Sequence, residues 1–540
     1  MYECPNCAGN LKFDILRQQL YCEYCGMQMD PYDYGKERDA EETREWSGEY
    51  EVTIFTCPQC GGELISEDTT AATFCSFCGA STILDSRISR KKRPACIIPF
   101  TKTKEDCRNA YKKMLRRAVF APKELKDERL VEKFRGIYMP YWVYSFERKG
   151  RMSFPGKQTN RSGDYLITDH FELSCQAEED YRGLAYDASS TFSDSLSGAI
   201  APFDMSGRKE FAPSFLSGFY ADANDIEEHV YEQEAEDLVV QDAARILERD
   251  PICVRYNAAQ ESSFEWALKP AERSSELAML PVWFLSYRNG DRVSYAVVNG
   301  QTGRAAADLP VDIKKYLAGS LLLAVPLFFL LNLLFTVTPG KVLLIAVLLA
   351  VLCMFISNGQ LSRILARESG EDDKGAAASR GMLREWSAGR KKRKSVRRIL
   401  SGNMVHTVVT IIIICQLAAI CSVAGGLESL LSILLPVLLF VMMSRVIGRR
   451  GQSGGKSAKK PFGGGHFKEK RPVLIKPLTG IAFAALILVL NPVSDWFYYI
   501  GALGCMGTVL WALMDIIRQH NRLTTRRLPQ LGRRGGDELE

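Results

Sequence analysis

Eight cysteines near the N-terminus repeat one spacing twice, and this duplication constrains the fold more than any other feature of the chain. In each copy, two C-x-x-C pairs are separated by 14 residues. The predicted ligands are Cys4, Cys7, Cys22 and Cys25 in the first copy and Cys57, Cys60, Cys75 and Cys78 in the second. Two residues between thiolates let one tight turn aim both sulfurs at one ion, and 14 residues suffice for a β-hairpin that returns the second pair. The spacing predicts two small β zinc ribbons, at residues 1–30 and 53–90, with one structural zinc ion each.

Redox C-x-x-C motifs and disulfides are the alternatives to metal binding. Four pairs at identical spacing, without a βαβ context around them, favour zinc over either alternative. The N-terminal residues also lack the basic and apolar segments of a signal peptide, which favours a reducing compartment. Because four thiolates fill a tetrahedral site, the expected ions stabilise the fold and leave no position for a catalytic water.

Charge and hydropathy divide the chain into two unlike parts at Lys315. Residues 1–315 carry 40 Lys and Arg against 51 Asp and Glu, whereas residues 316–540 carry 29 against 12. The second part also concentrates aliphatic runs that are too long for ordinary core helices. A wholly soluble, secreted or disordered protein is therefore excluded, and part of the chain is expected to lie in a bilayer.

Residues 94–312 mix short apolar runs with helical stretches, and a polar, acidic linker is predicted at 31–52. The pattern predicts strands at 96–100 and 136–154, helices at 104–119 and 225–249, and a hairpin at 277–298. Asn289-Gly290 marks the hairpin turn, because a tight type I′ turn requires two residues with positive φ. This region is predicted to form one cytoplasmic α+β domain.

A short sequence echo occurs within this region. Residues 140–146 and 281–287 both read Pro-x-Trp-x-x-Ser-aromatic, 141 residues apart, which predicts two equivalent strands. A tryptophan two residues after a proline at a strand start can either anchor a core or offer a ligand platform. We favour the core anchor for Trp142 and Trp283.

The aliphatic runs of the second part predict about six transmembrane helices in three hairpins, at residues 316–357, 404–446 and 473–517. The hairpins are separated by a basic loop at 358–403 and a basic glycine-rich loop at 447–472, and a tail follows at 518–540. The stretches 358–403, 445–472 and 518–534 contain 12, 9 and 6 Lys and Arg, whereas the three tight turns contain Lys341 alone. The positive-inside rule predicts a multi-pass protein of the cell membrane with both termini in the cytoplasm. The predicted fold class is thus multi-domain: two β zinc ribbons, an α+β domain and an all-α transmembrane region.

No catalytic constellation is recognisable in the sequence. The five histidines do not form an H-E-x-x-H motif, and Gly454-Gly455-Lys456-Ser457 is not a phosphate-binding loop because residue 450 is arginine rather than glycine. Basic runs at 90–93 and 390–394 could contact nucleic acid or anionic lipid, but a solvated hinge and a topology signal explain them as well. The protein is not expected to be an enzyme.

Beyond the ribbons, several segments resemble the YdjG-type double zinc-ribbon membrane proteins of Gram-positive bacteria. These segments are residues 97–100 with the helix after them, 120–122, 136–142, 280–283 and 299–303, so that the resemblance covers about residues 1–335. Such proteins are often labelled helicase-like or TFIIB-type because of the ribbons alone. The resemblance implies a membrane-stress setting, with a flotillin-like SPFH protein and a TPM-domain membrane protein as partners. The predicted six spans exceed the one or two of the shorter family pattern.

Together these features predict a non-enzymatic membrane scaffold whose zinc-ribbon head and α+β domain bind protein partners at the cytoplasmic face of the lipid bilayer. The runner-up is a membrane-tethered nucleic-acid-binding protein, although the net acidic charge of residues 1–315 opposes contact with phosphates. Transport is a third hypothesis, which the scarcity of charged residues within the apolar runs disfavours. A homo-oligomer is compatible with the sequence.

Overall fold

A computed structural model describes residues 2–34, 48–66, 75–80, 84–258, 264, 268–270, 272–290, 292–334, 339–368, 373–379, 475–490 and 492–527. The chain divides into two compact units. We name residues 1–310, 370–383 and 524–540 the sheet unit, and residues 311–369 and 384–523 the helical unit. Both cysteine sets and the predicted α+β region belong to the sheet unit.

The first predicted ribbon is a three-stranded antiparallel sheet of β1 (Leu11–Asp14), β2 (Gln19–Cys22) and β3 (Gln28–Met29). Along β1 the buried Leu11 and Phe13 alternate with more exposed neighbours, and in β2 the buried Leu20 and Cys22 do the same. This period of two is that of a sheet with one buried face. The excursion between the two cysteine pairs is therefore a β-hairpin, as the spacing predicts.

The second predicted ribbon does not form a sheet of its own. Its strands β4 (Glu49–Thr56), β5 (Glu63–Ile65) and β6 (Asp85–Lys92) belong, among the described residues, to a 12-stranded sheet shared with the α+β region. The junction is β5, which pairs antiparallel with β11 (Tyr220–Asp222). The predicted fold class is wrong in treating this ribbon as a separate small unit, because ligand spacing predicts a local hairpin but not a strand partner far along the chain.

The other strands of the large sheet are β7 (Cys96–Ile97), β8 (Arg135–Ser162), β9 (Tyr165–Asp187), β10 (Lys209–Glu210), β12 (Glu272–Asn289), β13 (Arg292–Asn299), β14 (Ala305–Ala307) and β15 (Arg526–Arg527). The predicted strands at 96–100 and 136–154 and the predicted hairpin are confirmed. The hairpin turn lies one residue later than predicted, because Asn289 pairs with Arg292 and Gly290 carries the positive φ of 63°.

The centre of this sheet has approximate two-fold symmetry. β8 and β12 run antiparallel, with Pro140 opposite Met279, and the residues shifted by 141 positions, Pro281 and Tyr138, also lie opposite each other. The neighbouring strands follow the same relation. β11 pairs parallel with β8, as β7 does with β12, and β9 pairs antiparallel with β8, as β13 does with β12. The sequence echo is confirmed as two equivalent strands, and each belongs to one copy of a β-α-β-β unit.

Hydrogen bonds around the two echoed tryptophans repeat in both copies. Trp142 Nε1 donates to the carbonyl of Ile226 at 2.8 Å, and Trp283 Nε1 donates to the carbonyl of Lys102 at 2.9 Å. Both rings are buried, so the interpretation of Trp142 and Trp283 as core anchors is confirmed. Burial of an indole N–H requires such an acceptor.

The same relation holds where β9 and β13 end. The N–H of Ala188 donates to the carbonyl of Pro140, and the N–H of Gly300 donates to the carbonyl of Pro281, both at 2.8 Å. The residues just before Ala188 and Gly300 are therefore equivalent as well.

Helices of the sheet unit are α1 (Lys104–Arg117), α2 (Glu128–Val131), α3 (Asp194–Ile200), α4 (His229–Leu247), α5 (Pro251–Arg255) and α8 (Lys374–Ser379). The basic helix predicted at 104–119 begins as α1 after Thr103, whose hydroxyl accepts the N–H of Asp106 while the Asp106 carboxylate accepts the N–H of Thr103. This reciprocal capping satisfies two backbone donors at the helix start. The acidic helix predicted at 225–249 is confirmed as α4.

Described helices of the helical unit are α6 (Ile313–Leu334), α7 (Pro339–Glu368), α9 (Ile475–Leu490) and α10 (Asp495–Thr524). α7, α9 and α10 share a buried cluster of small and branched side chains: Leu343, Ala346, Val347, Ala350, Ile481, Ala484, Ile487, Ala502 and Cys505. Small residues at such a seam let helix backbones approach closely.

One helix within the described ranges, α10, is long and apolar enough to cross a membrane. The predicted transmembrane region of about six helices is therefore wrong, and the described residues do not support the multi-pass prediction. α7 continues through Arg363 to Glu368, past the predicted end of its hairpin at 357, and buries part of its apolar surface against other helices. Apolar composition alone does not distinguish a lipid-facing surface from a helix-packing one. The predicted hairpin 404–446 and loop 447–472 lie outside the described residues.

Candidate metal centres

The eight predicted ligands come together in two clusters of four sulfur atoms. Within each cluster all four Sγ atoms lie within 4.8 Å of one another. The shorter Sγ–Sγ distances are 3.5 Å for Cys4–Cys25 and Cys7–Cys22, 3.8 Å for Cys57–Cys78 and 3.6 Å for Cys60–Cys75. Zn–S bonds of about 2.3 Å in a regular tetrahedron place sulfurs about 3.8 Å apart. Both clusters could hold a metal ion, and their size fits zinc.

Each cysteine pair is held by the same backbone turn. The first cysteine donates its N–H to the carbonyl five residues later, and its own carbonyl accepts the N–H four residues later. The residue after each pair has positive φ, between 55° and 73°, and these residues are Ala8, Gly26, Gly61 and Gly79. Because the left-handed region favours glycine, the sequence specifies the turn together with the ligands. This local coding explains why spacing alone predicts the sites.

A second glycine in each ribbon lies beneath an aromatic ring. A Cβ added to Gly9 would lie 2.7 Å from Tyr24 Cδ2, and one added to Gly62 would lie 2.6 Å from Phe77 Cδ2. Tyr24 and Phe77 occupy the same position within the trailing C-x-x-C pair. Tyr24 is 81% exposed whereas Phe77 is 1% exposed, so the two centres share a design but differ in environment.

The second cluster is part of the core of the sheet unit. All four of its cysteines are buried, whereas Cys7 and Cys25 of the first cluster are exposed. The Tyr295 hydroxyl, on β13, donates to the carbonyl of Phe77 at 2.9 Å, and the Phe77 ring contacts that of Phe284 edge-on. The second cluster therefore supports the β12–β13 hairpin directly.

Hydrogen bonds favour the thiolate form of one cysteine in the first cluster and of two in the second. The backbone N–H of Met27 lowers the pKa of Cys25 to about 6, a hydrogen bond from Cys75 lowers the pKa of Cys57 to about 6, and one from Cys60 lowers the pKa of Cys78. The pKa values of the neighbouring thiols Cys7, Cys60 and Cys75 are raised. The thiolate is the form that binds metal, so the lowered pKa values favour ligation by Cys25, Cys57 and Cys78. With four protein ligands, each site is closed, and a bound ion would contribute to folding rather than to a reaction.

The sequence analysis missed a buried polar cluster between β9, α3, α4 and α8. Tyr231 donates its hydroxyl to Asp194 Oδ1 at 2.5 Å, and the N–H of Lys374 donates to Asp194 Oδ2 at 2.8 Å. Burial, followed by the charge of Asp194, raises the pKa of Asp187 well above its usual range. These residues come from distant segments, and no local spacing signals them. In the described part of the chain only the two cysteine sets form groups able to hold a metal.

A cavity of about 350 Å³ lies where the basic run 90–93 ends. It is lined by Lys92, Trp142, Glu227 and Glu228 among others, and the Lys92 ammonium lies 4.6 Å from the centre of the Trp142 ring. Lys92 thus packs against its own domain through a cation–π contact.

The chain is similar to the "Uncharacterized protein YdjG" of Bacillus subtilis (strain 168). The two are 28% identical over 322 residues, which cover 59% of this chain and 92% of the relative. No family model matches the chain, and no solved structure matches it. The expected likeness to a YdjG protein is confirmed, but the name of that relative states neither a zinc ribbon nor a membrane.

Proposed function

We propose that the protein is a membrane-associated scaffold without enzymatic activity, in which two structural zinc ions stabilise a platform for protein partners. The observation that carries the proposal is the second cluster, whose four buried thiols are built into the large sheet beside the β12–β13 hairpin. A closed four-thiolate site in a core fixes the shape of a surface and offers no open coordination position for a substrate.

Membrane association rests on α10, whose large side chains Trp496, Leu503 and Trp511 are 76%, 72% and 50% exposed. Exposed apolar surface of this size is unfavourable in water and favourable in lipid. The chain just after α10 belongs to the sheet unit, where Arg526 and Arg527 pair with β13. Six Lys and Arg in residues 518–534 favour the cytoplasm for the C-terminal end of α10.

The long β8–β9 hairpin offers a contact surface for a protein partner. Near its tip, Tyr165, Leu166 and Ile167 are 78%, 74% and 49% exposed. Three consecutive exposed apolar side chains at the start of a strand are typical of a binding element rather than of a solvated loop. On the resemblance to YdjG-type proteins, we extend the proposal to a flotillin-like SPFH protein and a TPM-domain membrane protein as partners in membrane stress.

In-cell crosslinking followed by affinity capture and mass spectrometry tests the scaffold. The wild-type protein is compared with Cys57→Ser, which removes one ligand of the second cluster. We expect specific partners with the wild type and their loss with Cys57→Ser, because the platform loses its metal support.

Cys175→Ser provides the matched control, since it makes the same chemical change at a half-buried thiol outside both clusters. It should recover the wild-type partners. Recovery of the same proteins with wild type and Cys57→Ser, or of none with either, would contradict the scaffold.

A further inference from the structure

The outer edge of β13 receives the chain that follows α10. Arg292 and Val293 of β13 pair antiparallel with Arg527 and Arg526 of β15. The Arg292 guanidinium adds two hydrogen bonds to Thr525, from Nε to Oγ1 at 2.7 Å and from Nη2 to the carbonyl at 2.6 Å. All of these residues belong to the sheet unit. The C-terminal segment is therefore held by strand addition to one edge.

This strand addition is short. Two residue pairs bury little apolar surface and are far fewer than an independently stable β-structure needs. β15 can therefore stay in place only if the β13 edge is already rigid when β15 arrives, because a two-residue strand cannot order a flexible edge.

The second cysteine cluster supports that edge through two hydrogen bonds to the β12–β13 hairpin. Tyr295 lies on β13 two residues after Val293, and its hydroxyl bonds to the carbonyl of Phe77, which sits between two ligands. On β12, Arg288 donates to the Gln59 side chain at 3.0 Å, and Gln59 also sits between two ligands. Each cysteine pair of the second cluster is thus hydrogen-bonded, through the residue between its ligands, to the β12–β13 hairpin that pairs with β15.

The charge of the loaded second cluster also favours docking of β15. Four thiolates around a divalent ion leave the loaded cluster with a net negative charge. Within the described residues, Nε of Arg526 is buried without a hydrogen-bond acceptor, and Arg526 lies close enough to act on the Tyr295 hydroxyl, as do Cys60, Cys75 and Cys78. A buried guanidinium N–H without an acceptor is stabilised by a nearby negative charge.

We propose that metal binding at the second cluster controls the docking of residues 525–527 on the β13 edge. In the loaded state β15 is added to the sheet, and loss of the metal releases it. Metal occupancy of the second cluster thereby determines whether the segment that follows α10 stays paired with β13. This proposal rests on the metal occupancy of the proposed function but not on any partner.

Hydrogen exchange of the full-length protein in detergent micelles, read by mass spectrometry, tests the link. The decisive comparison is wild type against Cys75→Ser, with the metal content of both measured by elemental analysis. In Cys75→Ser, amides of residues 525–527 should exchange at least about tenfold faster. Cys22→Ser, the equivalent change in the first cluster, should leave residues 525–527 protected.

If Cys75→Ser fails to fold, a second variant, Tyr295→Phe, tests the same link. It removes only the hydroxyl bond to Phe77, and it should speed exchange at residues 525–527 while β8 and β12 stay protected and two metal ions remain bound. Unchanged exchange at 525–527 in Tyr295→Phe or in a folded Cys75→Ser overturns the link alone. Wild-type protein that binds no metal overturns the proposed function as well.

Discussion

Gly9 and Gly62 hold equivalent positions in the two metal centres but should tolerate a side chain differently. The ring above Gly9 belongs to the exposed Tyr24 and can swing away, whereas the ring above Gly62 belongs to the buried Phe77 and cannot. We expect Gly62→Ala to destabilise the second centre by about 1–3 kcal/mol, and Gly9→Ala to cost clearly less. Zinc release to a chelating dye, followed for both variants, would measure the difference; equal release rates would contradict it.

Exposure of individual thiols predicts the order in which the centres lose metal. Cys7 and Cys25 are open to solvent, whereas all four thiols of the second cluster are buried. A chelator or an alkylating reagent should therefore reach the first centre sooner. Time-resolved alkylation with peptide mass mapping should show labels at Cys7 and Cys25 before any label in the second cluster. Simultaneous labelling of both clusters would show that burial does not protect the second one.

The ligand residues could be predicted from the sequence because each turn is coded within six residues, by two cysteines and one or two glycines. The buried Asp187 and Lys374 and the half-buried Asp194 could not, because their contacts join segments that share no local pattern. Residue spacing predicts the geometry of a site only where neighbouring residues of one segment form that site.

At the scale of single elements, the equivalence of β8 and β12 predicts matched effects of matched substitutions. Trp142→Phe and Trp283→Phe each leave one carbonyl without its indole donor, the buried one of Ile226 or the partly buried one of Lys102. Each should lower the free energy of unfolding by about 1–3 kcal/mol. Chemical denaturation of each variant, followed by a spectroscopic signal of the sheet unit, would measure both free energies of unfolding. Trp496→Phe, at a ring that is 76% exposed, serves as the control with little expected change; a loss confined to one of the two core tryptophans would argue against their equivalence.

Strands and helices were predictable where their pattern is local, as in the Asn289-Gly290 hairpin and the Thr103 cap of α1. The strand pairing of β5 with β11 was not, because alternation of apolar residues predicts a strand but not its neighbour. Within the described residues of the helical unit, long apolar runs correctly predicted helices. They did not predict how many of those helices meet the length and hydropathy of a membrane span, since packed and lipid-facing surfaces have similar composition.

At the scale of the whole molecule, α10 as a membrane-spanning helix predicts a topology that can be tested. If α10 crosses the bilayer, Val493 just before it and Arg522 near its end face opposite sides. A membrane-impermeant maleimide added to intact cells should label Val493→Cys and should not label Arg522→Cys, with the wild-type protein as the background. Labelling of both positions, or of neither, would contradict α10 as a spanning helix with its C-terminal end in the cytoplasm.

The two-fold relation at the centre of the large sheet has an evolutionary consequence. Two copies of one β-α-β-β unit that meet through like strands have the geometry of a homodimer whose subunits were fused into a single gene. Fusion frees each half to mutate alone. Asp222, which is 2% exposed, lies in the second half where the first half has Ile98, and Asp187 lies in the first half where the second half has Asn299. Each half has thus acquired one interior acid where its twin has an apolar or amide side chain, an asymmetry that a dimer of identical chains could never evolve.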